Sequence, residues 1–391
     1  MKNDNVPLPI EQALKLEDYR IEDQDVLLTP ALLIYQEIVD GNVEATLRML
    51  GGNPNRWRPH VKTAKLEFTM RRLVQRGIAH FKCATTLELL TAYRSGASDV
   101  LLAYPVQGAN AERVRQIAIQ CPSMIVSVLV ETPSGLERWG SSPVGIFIDI
   151  NPGMNRTGVD PGQVTAIVEL ARAIVKAGLK FRGLHYYDGH LGSLPLEERT
   201  RQAHRGYQQL LNVVAAVERD GIRVEEVITS GTPAFPCALS FPGFEGGGFL
   251  HRVSPGTIVY TDLISLEQLP PGSGYRPAAI VLSRIVSHPS SSRITCDAGH
   301  KALAIDCGVP NCAVLGHPTL RPRAPSEEHL PIEVPAGEPQ PSIGDFLYLI
   351  PRHVCPTVNN FNEAIVVDSN RVIQVEPVSA RGREPAFTGS R

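Results

Sequence analysis

Short apolar runs and longer stretches with helical spacing alternate along residues 29–260. The runs are of strand length, as at 81–84 and 145–150, and stretches such as 111–120 and 164–177 lie between them. This alternation predicts parallel βαβ units. About seven or eight such units over roughly 230 residues favour an α/β fold built on a closed (β/α)8 barrel of TIM type. A doubly wound open sheet would have the same periodicity and remains an alternative.

The pattern changes after about residue 262, where helical spacing fades. Runs such as 279–286 and 346–350 are strand-like and are separated by turn residues, which predicts a second, mainly antiparallel β domain. We therefore assign residues 29–262 to the barrel, and residues 1–28 and 263–391 to the β domain.

Charge and composition exclude several classes of partner. The 391 residues carry a net charge of −2 without a long basic block, so we expect neither nucleic acid nor an anionic membrane as a partner. The apolar runs are far shorter than the roughly 20 residues that span a bilayer, and the polar N-terminus lacks a secretion signal. Seven scattered cysteines, an odd number, indicate a reducing cytoplasm rather than a disulfide framework.

One lysine occupies a position typical of barrel chemistry. The segment R-P-H-V-K-T (58–63) lies between an Asn/Pro/Gly loop and the first clear helix. This is the carboxyl end of a first barrel strand, where barrel enzymes place their reactive groups. His60 and Lys62 are two residues apart and would share one face of that strand. By position alone, the pattern favours a solvated lysine beside a surface histidine.

A second pair two residues apart, His353 and Cys355, follows the strand-like run at 346–350. If the chain stays extended there, both side chains point to one side. Two ligands on one face can hold a metal ion and leave positions open for water or substrate. A thiolate favours Zn²⁺ over Mg²⁺ or Ca²⁺. The alternative is a chance spacing, with the cysteine as a small buried hydrophobe.

Taken together, nine motifs resemble the D-threonine aldolase and D-serine dehydratase family of alanine-racemase-type pyridoxal-phosphate enzymes. They follow the family's order over nearly the whole chain. The motifs are R-P-H-V-K-T-A-K (58–65), C-A-T (83–85), L-L-A-Y-P (101–105), N-P-G-M-N-R-T-G-V (151–159), S-G-T-P (230–233), P-G-T-I-V-Y-T-D (255–262), C-D-A-G-H-K-A-L (296–303), S-E-E-H (326–329) and P-R-H-V-C-P-T (351–357).

The resemblance implies a barrel followed by a C-terminal β domain, and a pyridoxal 5'-phosphate site. Lys62, rather than Lys65, would hold the cofactor. Arg156 would lie near its phenolic oxygen and Tyr187 near its ring. The phosphate cradle would consist of residues in two late glycine turns, namely Ser230, Gly231, Thr232, Gly256, Thr257 and Tyr260. Taken singly, these residues are equally typical of ordinary turns, surface ion pairs and core packing.

The resemblance also implies that His353 and Cys355 hold a divalent metal, Zn or Mn, with Glu328 and His329 as outer partners. The implied activity is a lyase acting on a D-β-hydroxy amino acid. It either cleaves the Cα–Cβ bond, with His60 as a candidate proton shuttle, or eliminates the hydroxyl group, with Lys62 as base. Cysteine at position 355 favours the dehydratase branch modestly.

Two other functions stay open. An amino-acid racemase would need a second base opposite Lys62 and would not need His353 and Cys355. A non-catalytic cofactor carrier would usually lack the long β domain. The family also implies a homodimer. The substrate side chain is left undecided among D-serine, D-threonine and 3-hydroxyaspartate.

Overall fold

The protein is described by a computed structural model that covers residues 14–386. It divides into two compact units. The barrel unit comprises residues 46–256, residues 268–270 and the described residues from 382 to 386. The β unit comprises the described residues up to 45 together with 257–267 and 271–381.

The first two regular elements are β1 (Ala31–Tyr35) and α1 (Gln36–Met49). Seven parallel strands then form the barrel sheet in chain order: β2 (His80–Cys83), β3 (Asp99–Leu102), β4 (Ile125–Val130), β5 (Gly145–Ile150), β6 (Lys180–Tyr186), β7 (Glu226–Thr229) and β8 (Leu250–Val253). The helices of this region are α2 (Glu67–Gln75), α3 (Thr86–Arg94), α4 (Gly108–Gln120), α5 (Val164–Lys176), α6 (Leu196–Arg219) and α7 (Phe235–Leu239).

An irregular eighth segment closes this sheet. Trp57 forms a parallel bridge with Val253 of β8, and His60 forms one with Lys82 of β2. The Lys82 backbone N–H donates to the Pro59 carbonyl at 2.9 Å. The closure confirms the predicted barrel and excludes an open sheet. It also fixes which strand ends surround His60 and Lys62.

The barrel interior has an apolar layer and an ionic layer. Leu101, Leu129, Phe147 and Ile228 form the apolar cluster. The ionic layer centres on Arg58, which is fully buried and binds two carboxylates that begin strands, Asp99 of β3 and Glu226 of β7, each at 2.8 Å. Burial would raise the pKa of Asp99, but the Arg58 guanidinium outweighs it and holds that pKa well below its usual range. The amino-terminal end of the barrel is thus closed by a buried ion network.

The β unit is built on a nine-stranded, mostly antiparallel sheet. Its later elements are α8 (Leu263–Gln268), β9 (Ala279–Ser290), β10 (Arg293–Cys296), β11 (Cys312–Val314), β12 (Arg321–Pro322), β13 (Leu330–Glu333), β14 (Phe346–Pro351), α9 (Val354–Asn359), β15 (Glu363–Asp368) and β16 (Arg371–Pro377). Among residues 14–386, no helix is long and apolar enough to cross a membrane.

The division between the units differs from the sequence-based boundaries at residues 29 and 262. β1 pairs antiparallel with β9 and parallel with β15, so it belongs to the β unit although the sequence assigned it to the barrel. Residues 257–262 also fall in the β unit. Of the segment 1–28, which was assigned to the β domain, residues 14–28 do belong to the β unit, and residues 1–13 lie outside the described part.

Candidate active site

A cavity of about 220 Å³ lies at the carboxyl ends of the barrel strands. Its polar lining comes from the closing segment, from β2 and from residues in or after β3, β5 and β6. It includes the side chains of His60, Lys62, Lys82, Tyr104, Arg156, Thr157, His185 and Tyr187. This is the end of the barrel at which enzymes of this fold place their chemistry. The barrel therefore gathers four of the predicted site residues, which are His60, Lys62, Arg156 and Tyr187, into one pocket.

Lys62 and Lys65 have different environments. Lys62 is exposed and lines the cavity, whereas Lys65 is buried and pairs with Glu88 at 2.9 Å. The His60 Nδ1 atom accepts a hydrogen bond from the Lys62 backbone N–H at 3.2 Å. Burial, followed by the charges of Lys62 and Lys82, holds the pKa of His60 well below its usual range. The cavity thus presents the Lys62 amine beside a neutral imidazole.

The Tyr187 ring is held between glycines and cations. A β-carbon on Gly189 would lie 2.4 Å from the Tyr187 Oη, and one on Gly231 would lie 2.7 Å from its Cε2. Only glycine at these two positions lets the ring lie so close to the backbone. The Arg156 guanidinium is 4.9 Å from the ring centroid and the Lys82 Nζ is 5.3 Å from it. Arg156 and Tyr187 therefore stand together, as expected for residues around one aromatic cofactor.

The turn after β7 carries two buried hydroxyl groups. Ser230 and Thr232 are 0% and 6% exposed, and neither hydroxyl has a hydrogen-bond partner within residues 14–386. Ser230 has a φ of 57°, which a serine adopts only at an energetic cost. Buried polar groups are normally hydrogen-bonded, so two orphaned hydroxyls in a strained turn fit a bound anion such as the cofactor phosphate. The donor set of this turn is therefore compatible with pyridoxal phosphate.

The second predicted turn divides between the two units. In the barrel unit, a β-carbon on Gly256 would lie 2.3 Å from the His60 carbonyl oxygen, so glycine is required there for close packing. In the β unit, Tyr260 is fully buried, and the Thr257 Oγ1 lies 3.6 Å from the Cys355 Sγ. Thr257 thus contacts one of the two predicted metal ligands.

His353 and Cys355 are close together, although not on an extended segment. His353 is the extended residue that precedes α9, and Cys355 lies in the first turn of that helix because the chain turns at Val354. The side chains of Cys355 and His353 interact. Burial would lower the pKa of His353, but Cys355 and two nearby carboxyl groups outweigh it and raise that pKa to about 9. Glu328, an expected outer partner, instead pairs with Lys301 at 2.9 Å.

Sequence reasoning missed two sets of residues. One is a chain of contacts in which the Lys82 Nζ lies 3.3 Å from the His185 Nε2, whose Nδ1 lies 2.7 Å from Asp149. In the sequence, the only indication of these contacts was the presence of charged residues within short apolar runs. The other set is Asp306 and Cys307, whose side chains lie beside His353. They are more than 40 residues from it in sequence, and no local pattern links them.

Comparison with known proteins identifies the family to which the chain belongs. The profile described as "Alanine racemase, N-terminal domain" matches residues 36–263, and "Putative serine dehydratase domain" matches residues 278–367. A D-threonine aldolase of an Arthrobacter species is 26% identical over 90% of this chain and 93% of its own length. A D-threo-3-hydroxyaspartate dehydratase of a Delftia species is 21% identical over 86% of this chain and 94% of its own length.

Solved structures agree with this assignment. The crystal structure of D-threonine aldolase from Filomicrobium marinum superimposes with a TM-score of 0.83 at 26% identity, covering 91% of this chain and 96% of that one. The alanine racemase profile alone spans more than half of the chain. The family resemblance inferred from the nine motifs is thereby confirmed, and the chain belongs to the alanine racemase N-terminal domain family, with a serine dehydratase-type domain after it.

Proposed function

We propose that the protein is a pyridoxal-phosphate- and metal-dependent lyase that acts on a D-β-hydroxy amino acid. The observation that carries the proposal is the cavity itself, which combines the exposed Lys62 amine, the Arg156–Tyr187 pair and the site's position at the carboxyl ends of the strands. The two relatives described above support the proposal, because they are named as a D-threonine aldolase and a D-threo-3-hydroxyaspartate dehydratase, which are both lyases.

Several residues of the barrel unit would each bind a different part of the cofactor. Lys62 offers the amine that binds it, and the Ser230 and Thr232 hydroxyls donate to its phosphate. Arg156 favours the ionised form of its phenolic oxygen, because a fixed cation stabilises a neighbouring anion. Bound pyridoxal phosphate would supply an electron sink for the bonds at the substrate α-carbon.

The remaining residues handle protons and the β-hydroxyl group. The Lys62 amine would serve as the base that takes the α-proton in a dehydration. His60 is the candidate for removing the hydroxyl proton in an aldol cleavage, since its low pKa keeps the imidazole neutral, as a general base must be. His353 and Cys355 would hold a divalent ion, which would supply a Lewis acid for the β-hydroxyl group.

Product analysis with D-threonine tests the proposal and separates the two reactions. The protein is loaded with pyridoxal phosphate and Zn²⁺ or Mn²⁺ and the products are identified. Glycine with acetaldehyde assigns the aldolase, and 2-oxobutyrate with ammonia assigns the dehydratase. L-allo-Threonine alone would assign a racemase. Bound cofactor with no product from D-threonine, D-serine or 3-hydroxyaspartate would overturn the lyase proposal.

Two variants accompany this assay. Lys62→Ala should abolish both cofactor attachment and turnover. Lys176→Ala, which removes another exposed lysine at the end of α5, should leave both at the wild-type level.

Two further properties belong to the same proposal. We expect a homodimer, as the family resemblance implies, and sedimentation of the loaded enzyme at the mass of a single chain with full activity would contradict it. We also expect a reducing cytoplasm, in line with seven cysteines that form no disulfide with one another.

A further inference from the structure

We propose that the metal centre is built from two chain segments, in which Asp306 and Cys307 join His353 and Cys355, and that its two thiolates select zinc. The inference rests on the proposed function for the role of the ion and goes beyond it in the ligand set and the metal. The family pattern supplied only the pair His353 and Cys355.

The contacts around His353 carry the inference. Its Nδ1 atom lies 2.6 Å from the Asp306 Oδ2 and 3.6 Å from the Cys307 Sγ. The Cys307 Sγ also lies 3.6 Å from the Asp306 Oδ2. One ligand atom from each of these three residues lies within 4.8 Å of the other two. Cys355, two residues after His353, interacts with the same imidazole. Three side chains, those of Asp306, Cys307 and Cys355, therefore lie around the His353 imidazole.

The spacing suits a small ion with nitrogen and sulfur ligands. Zinc bonds are about 2.3 Å long to sulfur and about 2.0–2.1 Å to nitrogen, so two such ligands of a tetrahedral ion lie about 3.6 Å apart. That is the distance between the Cys307 Sγ and the His353 Nδ1. The Asp306 Oδ2 lies 2.6 Å from the same Nδ1 atom, so a zinc ion that takes this nitrogen would have the carboxylate beside it as a further oxygen ligand.

The chemical types of the ligand atoms determine which metal ion the site prefers. Mg²⁺ and Mn²⁺ prefer carboxylate, carbonyl and water oxygens, whereas two thiolates and an imidazole favour zinc. Cys307 and Asp306 are exposed and His353 is half-buried, so one side of the cluster is open to solvent. Two cysteines and a histidine with an open position are the ligand set of a known class of catalytic zinc site.

Metal binding by the full-length protein, without substrate, tests the ligand set. The zinc dissociation constant is measured by competition with a chelator for wild type, Cys307→Ser, Asp306→Asn and Cys121→Ser. Cys121 is a buried thiol of the barrel unit and serves as the matched control. We expect each of the two cluster variants to bind zinc at least 10-fold more weakly, and the control to match wild type.

Cobalt substitution gives a second readout. Thiolate-to-cobalt charge-transfer absorbance reports the number of bound thiolates, so Cys307→Ser should lose about half of it and Cys121→Ser none. Wild-type zinc affinity together with full charge-transfer intensity in Cys307→Ser would overturn the inference. So would preferential retention of Mn²⁺ by wild type from an equimolar mixture with Zn²⁺.

These outcomes are separable from those of the proposed function. If wild type binds zinc through Cys307 but converts no D-β-hydroxy amino acid, the lyase proposal fails and the ligand set stands. If wild type turns over D-threonine and Cys307→Ser binds zinc normally, the ligand set fails and the lyase proposal stands.

Discussion

Replacing Lys82 with methionine should make the protein more stable and less active. Lys82 is 2% exposed and lies inside the barrel, where its Nζ contacts His185. Among residues 14–386, no carboxylate lies within ion-pair distance of it. Methionine fills a similar volume without a charge. The variant therefore isolates the free energy of keeping this amine in the barrel.

The magnitude follows from the pKa. Burial is the largest cause that lowers the pKa of Lys82, and the charges of Lys62 and Arg156 act in the same direction against Asp149 and Asp188. The pKa falls from 10.5 to about 7. At about 1.4 kcal/mol for each pH unit, the protonated form costs roughly 4–5 kcal/mol. Loss of the hydrogen bond to His185 offsets about 1 kcal/mol of this, so we expect a net gain of roughly 3–4 kcal/mol.

The sign of the pH dependence is fixed by the lowered pKa. Below about pH 7 the folded protein carries the full penalty, because Lys82 is protonated in both the folded and unfolded states. As the pH rises toward 10.5, the unfolded state also loses its proton and the penalty disappears. The gain in Lys82→Met should therefore be largest at pH 6–7 and small above pH 10.

Urea unfolding of the cofactor-free protein at several pH values measures this gain. Lys65→Met is the matched control, because Lys65 is also buried but pairs with Glu88 at 2.9 Å. That variant should lose about 3–5 kcal/mol, since it leaves a buried carboxylate uncompensated. Destabilisation by Lys82→Met at pH 7, or a gain that does not change with pH, would refute the reasoning. Turnover should fall in the same variant, since lysines retained at such a cost are typical of functional sites.

Three other substitutions test the cofactor turn, the ion network and the close packing at the cavity. Ser230→Ala and Thr232→Val should each weaken cofactor binding by about 10-fold or more in an absorbance titration, since a hydrogen bond to a charged group is worth about 1.5–3 kcal/mol. Arg58→Met should lower the free energy of unfolding by about 3–5 kcal/mol in urea at pH 7, because the buried carboxylates of Asp99 and Glu226 lose their hydrogen bonds from Arg58 and keep Arg182 and Arg252 as their cationic partners. The difference in unfolding free energy between wild type and Arg58→Met should become smaller below about pH 4, which is near the pKa of an unfolded aspartate. Below that pH the unfolded state takes up a proton at Asp99, so the ion pair with Arg58 stabilises the folded wild type less and less. Gly256→Ala places a β-carbon 2.3 Å from a backbone oxygen and should cost about 1–3 kcal/mol of stability, whereas Gly41→Ala, with no atom within 4 Å, should be tolerated.

Periodicity was enough to predict the barrel. Parallel strands are covered on both faces, so they appear in sequence as continuous apolar runs between helices, and the run Gly145–Ile150 is buried along its whole length. The position of Lys62 just after the segment that closes the barrel, and the ordered motifs, were equally accessible to sequence reasoning. These features are local or repeat along the chain.

For the strand β1, sequence periodicity did not predict the sheet to which the strand belongs. An apolar run followed by a helix has the pattern of a βα unit, and Ala31–Tyr35 with α1 matches that pattern fully. Its hydrogen-bond partners, however, are residues such as Leu282 and Ile365, which lie some 250 to 330 positions away. Local pattern carries no information about which sheet a buried strand joins.

The two unexpected parts of the site depended wholly on tertiary structure. Lys82 became a cavity residue only because the barrel closes between His60 and β2, which turns that side chain toward His185. Asp306 and Cys307 contact His353 at sequence separations of 47 and 46 residues. Sequence alone determined the repeating elements and singled out Lys62 as the candidate reactive lysine, because these are encoded in short spacings. The folded chain decided which charges are buried and which ligands converge, because both depend on contacts between distant segments.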